Sequence, residues 1–175
     1  MKDFADLLGG KDLRSITKSS EVVQYVQDQQ SFDVLFGLLV HPQRTLVMRA
    51  ADAIEKITLT HKEFLQPHKR QLLSLLKGAM NKELKWHLAQ LIPRVKLNKG
   101  ELNDVCRILT DWVHSPTESK IVRVNSLQGL FELSVQFPAV KPDFDRTLSA
   151  LEHEPIPSIQ ARVRKLKKMK IGAQP

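Results

Sequence analysis

Six histidines and one cysteine carry the most versatile side-chain chemistry in this 175-residue chain. They are His41, His61, His68, His87, His114, His153 and Cys106. A helical metal site sets two ligands four residues apart, so that both leave one face of the helix. No two of these histidines have that spacing, and Cys106 has no second cysteine to join it. His41, His114 and His153 close apolar helical segments, where an imidazole favours the negative end of the helix dipole. Cys106 stands in "DVCRILTDWVH", an apolar helix, and reads as core. The chain carries no glycine-rich phosphate loop, nucleophile motif or paired carboxylates. The expectation is a protein that is not an enzyme, with no metal and no cofactor.

Charge is the next source of chemistry. The formal net charge is +8, and it is unevenly placed. Residues 61–100 hold nine Lys/Arg against two Asp/Glu, and residues 161–175 hold six against none. Residues 1–60 hold seven against eight, and residues 101–160 hold five against nine. Two basic blocks of this kind attract anions, although a charged helix face is most often a solvated one. A lone thiol fits a reducing compartment, here the cytoplasm. The opening "MKDFADLLGGKDLRS" has acids among its apolar residues and reads as no signal peptide. No apolar run approaches the roughly 20 residues of a membrane-spanning helix, so no membrane insertion is expected.

The elements that position these groups emerge from a repeat. The segments "LVMRAADAIEKI", "LKWHLAQLIPRV" and "VRVNSLQGLFEL" begin at Leu46, Leu84 and Val122, 38 residues apart each time. Leu46, Ala50, Ala53, Ile54 and Ile57 lie on one side of a 3.6-residue helix. Leu84, Leu88, Leu91, Ile92 and Val95 repeat the stripe, and Val122, Ser126, Gly129, Leu130 and Leu133 fill it a third time. Small residues in that stripe let neighbouring helices approach closely. A second apolar helix precedes each: "SFDVLFGLLVH", "KRQLLSLLKGA", "DVCRILTDWVH", then "DRTLSALEH". Pro42 and Pro116 suit first helical positions, and Ser115 with Glu118 has capping-box spacing. Leu65, Leu102 and Val140 recur in the links and read as plugs over the core. "SSEVVQYVQDQQ" reads as a capping helix with Ser19 or Ser20 as N-cap, and "SIQARVRKLKKMK" as a degenerate last copy.

A helical pair every 38 residues predicts an all-α fold, a short right-handed α-solenoid of about four helix pairs with an N-terminal capping helix. "VRVNSLQGLFEL" resembles the HEAT-repeat pattern V-R-x-x-A-A-x-A-L-x-x-L, with Arg123 at the family arginine. Lys85 replaces that arginine in the second copy and Val47 in the first. The resemblance covers roughly residues 31–170. It places a cap at 19–30 and repeats at about 31–68, 69–105, 106–144 and 145–170, within a single domain over 15–170. Residues 1–14 read as a flexible N-terminus and 171–175 as a tail.

In HEAT-like arrays the second helices line a concave surface. The resemblance therefore implies a non-enzymatic scaffold or adaptor that binds a protein or peptide partner there. Third and tenth positions of the second helices lie opposite the apolar stripe, which makes Met48, Trp86, Val124 and Phe131 an apolar row. Arg49, Lys85, His87, Arg94 and Arg123 flank it as a cationic rim. The alternative is a nucleic-acid-binding module that uses the basic blocks 61–100 and 161–170, with anionic contacts at Arg162, Arg164, Lys165, Lys167 and Lys168. A HEAT-like DNA glycosylase, with Trp86 and Asp52 in its site, is a third and lesser reading.

Overall fold

The structure is a computed structural model that describes residues 3–9 and 17–172. Among those residues every regular element is helical. The second helices begin 38, 38 and 37 residues apart, at α4 (Arg44–Ile57), α6 (Lys82–Leu91), α8 (Lys120–Gln136) and α10 (Pro157–Gly172), so α10 arrives one residue early. Their partners are α3 (Gln29–Gly37), α5 (Lys69–Gly78), α7 (Lys99–His114) and α9 (Lys141–Ala150). Because α7 starts at Lys99, the link "KLNKGELNDV" is largely the first turns of that helix rather than a loop. Asn98 caps it in a reciprocal box with Glu101.

Packing divides the chain into two compact units, residues 1–71 and 72–175, with α5 starting in one and ending in the other. In the first unit α4 is the hub. It packs on α3, on α1 (Phe4–Leu8) and on α2 (Thr17–Val23). Every residue of α4 from Leu46 to Ile54 is buried. In the second unit α8 is the hub, in contact with α6, α7, α9 and α10. Second helices thus stack in succession there, each small or aliphatic stripe closing on the next. Burial of one such leucine or isoleucine contributes about 1.5–3 kcal/mol. Leu65, Leu102 and Val140 are buried, as their recurrence in the links implies.

Several local expectations are corrected. Residues 4–8 form α1, with Phe4 and Leu8 buried, where a flexible N-terminus is read from the sequence. Five residues are too few for a helical period to register, and their burial against α4 supplies the stability that a lone short helix lacks. Residues 10–14 lie outside the described residues. Ser19 and Ser20 are inside α2, which begins at Thr17, so neither is its N-cap. Pro42 precedes the Gln43 cap of α4, and Pro116 lies in the turn before Ser119, the N-cap of α8. Ser119 accepts from Val122 N–H, so Ser115 and Glu118 do not form the box. Prolines do occupy first turns at α9 (Pro142) and α10 (Pro157). Pro93 ends α6 in a 3-10 turn.

Candidate functional site

Four helices carry the residues predicted for a binding face, but only part of the set meets. Met48 and Arg49 are buried on α4 in the first unit. The Arg49 guanidinium is 1% exposed and donates to the Leu8 and Gly9 carbonyl oxygens, capping the end of α1. Asp52 is buried too. Its carboxylate accepts from Ser19 Oγ and, at 2.7 Å, from Lys56 Nζ. These polar side chains of α4 fasten the N-terminal helices, so the rim and acid roles expected of Arg49 and Asp52 are replaced by structural ones.

The second unit shows what Lys85 and Arg123 do. Arg123 is buried, and its Nε donates to the Val113 carbonyl at the end of α7 at 2.8 Å. Its Nη2 reaches Glu154, in the turn that precedes α10, at 2.8 Å. Lys85 occupies the same second position on α6 and pairs with Glu118, in the turn that precedes α8. Its ammonium lies 5.3 Å from the Trp112 ring centroid. One device therefore occurs twice: a cation on a second helix binds a carboxylate in the helix–helix turn of the following pair. In α10 the position is Gln160, whose amide donates to the Leu151, Glu152 and Glu154 carbonyls of its own turn. The rim reading of Lys85 and Arg123 fails because each is committed to a carboxylate more than 30 residues away, beyond any local pattern.

Phe131 is buried, its ring centroid 5.7 Å from that of Phe144 on α9. The tenth position of α8 faces the first-helix layer. Its open strip runs from exposed Ile121 through half-buried Val124, Gln128 and Glu132 to exposed Val135, one residue out of phase with the expectation at Phe131. His87 is fully buried and Trp86 half-buried against it. Trp86 and Gln90 are the partly open side of α6, with Arg94 partly open in the 3-10 turn that follows, and Trp86 and Val124 hold the same register position on adjoining helices. On α10, Arg162 donates to Gln128 at 2.5 Å, and Gln128 to Glu132 at 2.9 Å. Burial holds the Arg162 guanidinium below its usual value, offset by nearby Glu132. Lys167 pairs with Glu152 at 2.7 Å. Arg164, Lys165 and Lys168 are exposed. The face that survives is therefore Trp86 on α6, Arg94 in the 3-10 turn that follows it, Ile121, Val124 and Val135 on α8, and the exposed cations of α10.

Within the basic block 61–100, Lys77 pairs with Asp104 at 2.8 Å and Lys85 pairs with Glu118. Cys106 is half-buried, not core, and lines a groove of about 600 Å3 between α7 and α9. Burial, helped by Asp143, pushes its thiol up to about 11, which leaves almost no thiolate at neutral pH. Among the described residues no three His, Cys, Asp or Glu side chains cluster to hold a metal ion, and no helix is long and apolar enough to cross a membrane.

A family model for the HEAT repeat domain matches residues 6–170. No curated protein and no solved structure matches the chain significantly.

Proposed function

The chain belongs to the HEAT repeat domain family, and we propose that it is a non-enzymatic scaffold that binds a protein or peptide on the open side of α6, α8 and α10. HEAT repeats generally mediate protein interactions, so the family supports the class of function. One observation carries the location. Trp86 and Val124 share a register position on stacked helices, with Ile121 45% and Val135 65% exposed on the same strip of α8. Large apolar side chains on an outward strip mark contact surfaces, and a partly open tryptophan on that strip is the residue type expected of an anchor. A single cysteine fits the cytoplasm. Trp86→Ala tests the reading. Pull-downs from native lysate with the wild-type and variant proteins, at two salt concentrations, should lose the same bound proteins in the variant. An unchanged set of bound proteins would overturn the assignment of the face.

A further inference from the structure

We propose that the partner taken by this face is an acidic amphipathic helix, a reading that rests on the face just assigned. Of the +8 formal charge, nearly all belongs to the second unit. Residues 72–175 hold 17 Lys/Arg and 10 Asp/Glu, against 10 and 9 in residues 1–71. The acids of the second unit's second helices and turns are already engaged. Glu118 binds Lys85, Glu132 accepts from Gln128, Glu152 binds Lys167 and Glu154 binds Arg123. Opposite them stand three exposed cations on α10. Ala161, Arg164, Lys165 and Lys168 follow i, i+3, i+4, i+7 spacing and make one open stripe.

The register shows what that stripe replaces. Because α10 begins 37 rather than 38 residues after α8, Arg164 stands where earlier second helices carry Ala51, Ala89 and Leu127, all buried. A cation there leaves positive charge beside the face. Ala161 and Lys165 continue the strip of Val124 and Gln128, so from α6 to α10 the surface passes from apolar (Trp86, Ile121, Val124) to cationic (Lys165, with Arg164 and Lys168 exposed beside it). Three stacked helices at about 8–10 Å spacing make this face about 20 Å wide. A helix of about 13 residues covers that distance. Its apolar side would meet Trp86 and Val124, and its carboxylates the α10 cations.

Selection from a displayed library of random 16-residue peptides on the immobilised full chain tests this. The selected sequences should be rich in Asp/Glu, with apolar residues at i, i+3 or i+4. A synthetic copy of the consensus should bind at least tenfold more weakly to Trp86→Ala and to the triple variant Arg164→Glu, Lys165→Glu, Lys168→Glu, with melting temperatures unchanged. Affinity should fall with salt. Basic or neutral consensus sequences that still need Trp86 would overturn the acidic partner and keep the face. Acidic sequences indifferent to Trp86 would overturn the face. An empty selection would overturn the proposal. So would tighter binding of a 20-nucleotide single strand or of anionic vesicles that depends on the three cations alone, or self-association through this face.

Discussion

Gly129 of α8 lies directly against the backbone of α6: a Cβ in its place would stand 2.5 Å from the Ala89 carbonyl oxygen. Real Cβ atoms do not approach backbone oxygen that closely, and neither helix backbone yields as a side-chain tip would. Glycine in a helix interior ordinarily costs about 1 kcal/mol relative to alanine. Here the sign reverses. Gly129→Ala should destabilise the fold by about 1–3 kcal/mol, the cost of overpacking. Urea unfolding measures it. A stabilised variant would show that α6 and α8 do not pack so closely.

The repeat made the second helices legible, because a 38-residue period reports on contacts that recur. It placed Ala50, Ala53 and Gly129 correctly as buried small positions. The errors fall where physics is not local. Arg123 and Lys85 look outward in a helical wheel, yet each is drawn to a carboxylate in the next pair's turn. A 100° count mis-phases Phe131 because α8 is packed by four neighbouring helices, which narrows its open strip. The pattern gives no sign of Arg49's role because α1 is too short to register as a helical period.

Arg49 supplies a second prediction. Its guanidinium is buried and committed to two carbonyls of the N-terminal segment. Arg49→Ala removes the donors and leaves the carbonyls unsatisfied, at a cost of about 2–4 kcal/mol. Amide exchange should show α1 losing protection before α4. Equal protection in both proteins would mean that α1 is held by Phe4 and Leu8 alone.

The Arg123–Glu154 pair predicts an asymmetric cycle. Arg123→Ala leaves the Val113 carbonyl and the Glu154 carboxylate without their donor, and should cost about 3 kcal/mol. Glu154→Gln keeps an acceptor for Nη2 and should cost less, about 1 kcal/mol. The double variant should be less destabilised than the sum, since the two residues share one interaction. Strict additivity in denaturant melts would exclude the pair as a coupled unit.

Cys106 gives the pH-dependent prediction. Burial first, and the Asp143 carboxylate second, raise its thiol from 9.0 to about 11. The folded state thus binds a proton that the unfolded state has begun to release. That stabilisation is fully present below the unfolded value of 9.0 and is lost as pH rises through about 11. At pH 8 the thiolate fraction should be about 100-fold below that of an unperturbed cysteine. Alkylation of the native protein by iodoacetamide should therefore be slow at pH 8 and rise about tenfold per pH unit up to the thiol's own titration. Asp143→Asn should speed it only modestly, because the larger cause is burial. Rapid alkylation at pH 8, equal to that of the urea-unfolded chain, would show that the groove between α7 and α9 leaves the thiol in water, and would reopen it as a nucleophile.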